Sequence, residues 1–125
     1  MSYLALVLRS ESVERFRKDF PALHDTVSSN HVTIWYKPDT EVMKLYAPML
    51  GREYPIETQG YFADSDCQVV SVTVPMAVEN KIPHITISYN RWNTQPKYSN
   101  DKLMANENKL IKVSGIYYGT LELVP

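Results

Sequence analysis

Two hexapeptides constrain this chain more than any other feature. His31–Tyr36 and His84–Tyr89 each open on a His-x-Thr string, His31-Val32-Thr33 and His84-Ile85-Thr86, and continue in residues that favour extended backbone. A strand turns alternate side chains to the same face. In the first segment one face carries His31, Thr33 and Trp35, and the other carries Val32, Ile34 and Tyr36. In the second, His84, Thr86 and Ser88 share a face opposite Ile85, Ile87 and Tyr89. Each strand therefore offers a polar face to a cleft and an apolar face to a core. The strings lie one in each half of a chain that has only three histidines and eight threonines.

Size and composition set the frame for these strands. A chain of 125 residues is expected to form a single domain over residues 1–125, and 44% apolar residues suffice for a core without staples. A net charge of −1 gives no global basic field, so duplex DNA is not an expected partner; a nucleotide or a short RNA end is. Cys67 is the only cysteine, which rules out an internal disulfide, and no Cys/His spacing suggests a zinc site. A reducing, cytoplasmic location is expected. The apolar start Tyr3–Leu8 is followed at once by Arg9 and Glu11, which suits a first strand better than a signal peptide. No apolar run approaches membrane-spanning length, and the oligomeric state is left open.

The order of elements points to an α+β fold. Tyr3–Leu8 reads as a buried strand. Ser10 is a helix N-cap candidate, with Val13, Phe16 and Phe20 at helical spacing before Pro21. A polar stretch from Asp25 to Asn30 leads into His31–Tyr36. Asp39 can cap a second helix with Val42, Leu45, Tyr46 and Met49 on its inner face, ended near Pro48 and Gly51. Tyr54–Phe62 and Gln68–Val74 read as strands joined by the turn Ala63–Asp66, and Pro75–Pro83 as a connecting loop. A short helix through Met104 and two last strands, Leu110–Ile116 and Tyr118–Val124, follow. The expected architecture is bilobal, with pseudo-duplicated antiparallel sheets lining a central cleft and short helices packed outside.

Two imidazoles flanking one phosphorus supply what phosphodiester cleavage requires. The attacking hydroxyl or water must lose a proton and the leaving oxygen must gain one. Histidine, with an ordinary pKa of about 6.5, serves in either role near neutrality. Threonine hydroxyls on the same faces can donate to the non-bridging oxygens. This scheme calls for no metal and no cofactor.

In these residues the chain resembles the two-histidine (2H) phosphoesterase superfamily, whose signature is a pair of His-x-Thr/Ser motifs, one in each half of a bilobal domain. It is most similar to small RNA-repair-like proteins related to the cyclic phosphodiesterase domain of fungal tRNA ligases. There the first motif follows a Phe-Pro-x-x-His segment, here Phe20-Pro21-Ala22-Leu23-His24, and the second precedes a Pro-x-Tyr-Ser-Asn segment, here Pro96-Lys97-Tyr98-Ser99-Asn100. The resemblance implies catalytic roles for His31, Thr33, His84 and Thr86. It implies phosphodiesterase action on 2′,3′-cyclic phosphate ends, 2′–5′ linkages or cyclic oligonucleotide signals, in RNA processing or in disarming a nucleotide-based defence. A non-catalytic module that sequesters a nucleotide or RNA end is the alternative.

Other residues are candidates for substrate contact. Trp35, on the expected face of His31, can stack on a base or pack at the cleft edge. Ser88 can support the phosphate or simply end its strand, and Tyr98 contributes if the segment after the second motif folds over the site. Lys37, Arg91 and Lys97 follow the motif strands and can meet a second phosphate, although surface cations are mostly solvated. His24 lacks a threonine partner and reads as structural, Asp64 and Asp66 as a solvated turn, and Cys67 as a small buried hydrophobe.

Overall fold

In the computed structural model, which describes residues 2–125, the chain is α+β. It runs β1 (Tyr3–Leu8), α1 (Ser10–Asp19), β2 (Thr26–Val27), β3 (His31–Tyr36), α2 (Thr40–Tyr46), β4 (Glu53–Ala63), β5 (Cys67–Thr73), β6 (His84–Tyr89), α3 (Ser99–Ala105), β7 (Ile111–Lys112) and β8 (Ile116–Val124). All paired strands are antiparallel and form one sheet in the order β2-β6-β5-β4-β8-β1-β3, with β7 added on β4. The two His-x-Thr strands, β3 and β6, lie near opposite ends of that order and yet pack against each other. The sheet therefore curls back until its motif strands meet.

Alternation in the strands builds the main core. Leu4, Leu6 and Leu8 of β1, Val32 and Ile34 of β3, Ile85 and Ile87 of β6, and Tyr117 and Leu121 of β8 all face inward. Helix α1 adds Phe16 and α2 adds Tyr46, both buried. Phe16 is fully enclosed, with ring centroids 4.9 Å from Phe20 and 5.1 Å, edge-on, from Tyr117. Truncation there leaves a cavity between helix and sheet. Phe16→Ala is expected to lower stability by about 3–5 kcal/mol, measurable as a lower urea midpoint at unchanged slope. A second cluster of Cys67, Val69 and Leu103 fastens α3 beside β5, and burial pushes the Cys67 thiol up to about 11.

Several local expectations change. Arg9, not Ser10, occupies the N-cap of α1, and Ser10 is the first helical residue. Asp39 does cap α2, its Oδ1 accepting the Val42 N–H at 2.9 Å. On that helix Met43 packs inward beside Val42, and Leu45 is 75% exposed. Pro48 falls inside a 3₁₀ turn (Ala47–Met49), where its missing N–H costs nothing, and Gly51 at φ +78° makes the exit. The polar stretch before β3 includes the short strand β2. The penultimate strand shrinks to Ile111–Lys112, and the last one extends forward to Ile116.

Each motif strand carries a bulge at the same place. Ala5 pairs with Thr33 and Leu4 with Trp35, so Ile34 is an extra residue in β3. Val69 pairs with Thr86 and Gln68 with Ser88, so Ile87 is the extra residue in β6. A bulge interrupts the ladder and resets which face the following side chains take. In both strands it falls on the isoleucine directly after the motif threonine.

Candidate active site

The face of β3 and β6 opposite the core opens into a cavity of about 570 Å³, lined by His31, Thr33, His84 and Thr86 together with Ser28, Tyr36, Glu79, Asn80, Pro96 and Lys97. The four motif side chains, remote in sequence, thus share one space. Two other hollows, of about 250 and 300 Å³, contain none of them.

Both imidazoles are held from behind. His84 Nδ1 lies 2.8 Å from the Ile82 carbonyl, and His31 Nδ1 lies 2.7 Å from Asn30 Oδ1. A carbonyl oxygen only accepts, so Nδ1 carries the hydrogen in each neutral ring and Nε2 is the basic nitrogen. Neither Nε2 has a partner among the described residues. The Tyr3 ring, 5.7 Å from that of His31, packs against it on the same side of the sheet. Burial lowers the pKa of His31 below its usual 6.5, and the neighbouring His84 charge lowers it further. Burial also lowers His84, partly offset by its bond to the Ile82 carbonyl. The pair is therefore electrostatically coupled.

The threonines differ in their surroundings. Thr33 Oγ1 has no partner among the described residues and faces the cavity. Thr86 is nearly buried, its hydroxyl 2.9 Å from that of Ser99 at the start of α3. This bond fixes the Thr86 rotamer and brings the segment before α3, with Pro96 and Lys97, to the cavity wall.

Crossed backbone contacts fasten the two motif strands together at their bulges. The Ile87 carbonyl accepts from the Ser28 N–H at 2.9 Å and the Ser29 hydroxyl at 2.9 Å, while the Ser29 N–H donates to the Thr86 carbonyl at 2.8 Å. The Ile34 carbonyl accepts from the Glu79 N–H at 2.9 Å, and the Tyr36 N–H donates to Glu79 Oε1 at 2.9 Å. Ser28 and Ser29 precede β3 yet hold β6; Glu79 precedes β6 yet holds β3. The segment leading into each histidine strand thus anchors the other.

The bulges also re-sort the expected substrate contacts. Trp35 does not stay on the His31 face: the extra residue Ile34 turns it against the core and brings Tyr36 to the cavity. Ser88, beyond the Ile87 bulge, is fully buried, donating to Gln68 Oε1 at 2.6 Å and accepting from the His24 N–H at 3.2 Å. It supports the interior and does not line the cavity. Tyr98 lies outside the lining as well, with the Lys97 ammonium 5.2 Å from its ring centroid. Lys97 lines the cavity, whereas Lys37 lies over the Tyr36 ring and Arg91 over the exposed Trp92.

His24 has the structural place expected, Nε2 lying 3.0 Å from the Asp64 carbonyl. Asp64 is less solvated than a free turn: it accepts from the Asp66 and Cys67 N–H groups and pairs with Lys102 at 2.7 Å, which holds its carboxyl below the ordinary range against the opposing effect of burial. Glu79, Asn80 and Ser28 were not legible as site residues. They sit in connecting segments, and only tertiary pairing with the bulges brings them in.

No protein-family model matches the chain, and no curated protein matches its sequence. Among the described residues, no helix is long and apolar enough to cross a membrane.

Proposed function

We propose that this chain is a metal-independent phosphodiesterase of the two-histidine type, acting on nucleotide or short RNA phosphodiesters: 2′,3′-cyclic phosphate ends, 2′–5′ linkages or cyclic oligonucleotides. The observation that carries the reading is the pair of imidazoles in one cavity, each tied through Nδ1 to an oxygen behind it and each with an unengaged Nε2. A site that only bound a phosphate would be served as well by fixed cations. Two coupled imidazoles with depressed pKa values are the equipment of proton transfer.

In the proposed mechanism His31 is the base. Its Nε2 takes the proton from water or a neighbouring ribose hydroxyl as the new P–O bond forms. His84, entering the reaction protonated, passes its Nε2 proton to the leaving oxygen as the old P–O bond breaks. The hydroxyls of Thr33 and Thr86 donate to the non-bridging oxygens, on which charge builds. For cyclic phosphate hydrolysis the product is a phosphomonoester with one free ribose hydroxyl, and solvent exchange restores both imidazoles.

The strand order supports the finer architectural reading, a duplicated unit. The runs β8-β1-β3 and β4-β5-β6 each place the histidine strand third from the β4–β8 seam, with a bulge one residue after the threonine. We read these as two lobes of one ancestral element.

The test is a substrate panel in EDTA: nucleoside 2′,3′-cyclic phosphates, a short RNA ending in a cyclic phosphate, 2′–5′ oligoadenylates and cyclic dinucleotides, resolved by chromatography. Turnover of at least one class with the chelator present is expected. An absolute need for a divalent ion overturns the mechanism, and tight binding without product at any pH favours the sequestering module.

A further inference from the structure

A carboxylate is an unexpected lining for a cavity that receives phosphate, because it repels any second anion. Glu79 is nevertheless held there: its N–H donates to the Ile34 carbonyl, and its Oε1 accepts from the Tyr36 N–H. The Ile34 bulge brings the Tyr36 ring, half exposed, to the same cavity, and Asn80 follows Glu79 on its lining. The one lysine or arginine among the lining residues is Lys97, which comes from the segment that Ser99 ties to Thr86. Lys97 stands on the β6 side of the cavity, and Glu79 and the Tyr36 ring, with the Lys37 ammonium 5.4 Å from its centroid, stand on the β3 side.

An aromatic ring beside a fixed carboxylate and an amide is the equipment of base recognition. The ring offers a stacking face. The carboxylate only accepts hydrogen bonds, so it selects an edge presenting adjacent N–H donors. Of the four common bases, guanine alone offers two neighbouring donors on its Watson–Crick edge, N1–H and the N2 amino group. Its O6, next in line, accepts, and the Asn80 amide can donate to it. Adenine and cytosine would turn a ring-nitrogen acceptor toward the carboxylate, and uracil a single donor between two carbonyls.

We infer that Tyr36, Glu79 and Asn80 form a nucleobase subsite selective for guanine, with the scissile phosphate between His31 and His84. This deepens the phosphodiesterase reading and, for its catalytic assay, rests on it. Glu79 is a specificity residue and takes no part in the proton transfers.

The experiment compares kcat/KM for the guanosine, adenosine, cytidine and uridine 2′,3′-cyclic monophosphates. Guanosine is expected to lead by about tenfold or more, the scale of one good bidentate base contact. Glu79→Gln keeps a carbonyl oxygen for the Tyr36 N–H but turns half of the acceptor into a donor. It is expected to narrow the guanosine-to-adenosine ratio to about twofold or less. Asn80→Ala, outside the backbone clasp, should narrow the ratio in the same direction and guards against a folding defect in the first variant. Equal rates on all four substrates, or a guanosine preference that survives Glu79→Gln, overturn the subsite. If none of the four is turned over, cyclic mononucleotides are excluded as substrates, a result separate from the subsite, and calorimetric binding of guanosine 3′-monophosphate against adenosine 3′-monophosphate decides the subsite. Tighter guanosine binding that is lost in Glu79→Gln upholds it, and equal or absent binding overturns it.

Discussion

His31→Ala and His84→Ala are each expected to reduce kcat/KM by about 10²–10⁴-fold, the usual contribution of a positioned acid or base. Removing both should cost little more than the worse single change, because two groups that move protons in one event do not contribute independently. The fold should survive. Each ring is tied to the protein by one hydrogen bond at Nδ1, and the strands are fixed by the apolar faces beneath them. Circular dichroism and the urea midpoint check that point alongside the kinetics. The two variants should also part company on an activated substrate. A p-nitrophenyl phosphodiester has a leaving group that needs no proton, so it should restore much of the lost rate in His84→Ala and little in His31→Ala. Rescue of His31→Ala alone would reverse the assignment of acid and base, equal rescue of both would erase it, and full activity in either alanine variant on the native substrate would end the two-histidine mechanism.

Acidification is expected to destabilise the free protein, and the sign follows from the direction of the histidine shifts. Burial lowers both imidazoles below the 6.5 of an open chain, and His84 adds to the lowering of His31. Between the folded pKa values and about 6.5, the unfolded chain therefore binds more protons than the folded one. Stability rises with pH across that window and falls as pH drops through it. His31→Gln should flatten this slope. Inorganic phosphate should do the same by binding the protonated pair, since a ligand that prefers the folded form stabilises it by mass action. Urea midpoints between about pH 5 and pH 7.5, with and without phosphate, measure both effects. The same shifts put the bell-shaped kcat/KM profile, which reports the free enzyme, on the acid side of 6.5. A kcat/KM maximum near about pH 8, or stability that rises on acidification over this range, would contradict the burial of these rings.

Much of this geometry is visible in the residue pattern, and the rest is hidden for identifiable reasons. Both motif strands have the expected limits, His31–Tyr36 and His84–Tyr89, because β-branched and aromatic residues run between turn-forming ones. The sharing of a face by each histidine and its threonine follows from alternation alone. Alternation then misleads at Trp35 and Ser88. A bulge is a property of register against a partner strand, and nothing in His-Val-Thr-Ile-Trp announces that Ile34 will be left over. Glu79 and Asn80 lie between Pro75 and Pro83, a stretch with no periodicity to read. They enter the site through backbone bonds to a strand far away in sequence. Leu45 shows the limit of helical spacing in a short helix: α2 has two turns, and a small change in its roll exchanges Leu45 for Met43 on the inner side.

The crossed anchoring of β3 and β6 has a mechanical consequence. Drawing the two imidazoles apart requires breaking the Glu79 bonds to Ile34 and Tyr36, or the bonds of Ser28 and Ser29 to Thr86 and Ile87. The opening is thus a calliper locked at one setting. A ligand must match its span on arrival, so the size of the guest is screened before its hydrogen-bonding edge is read.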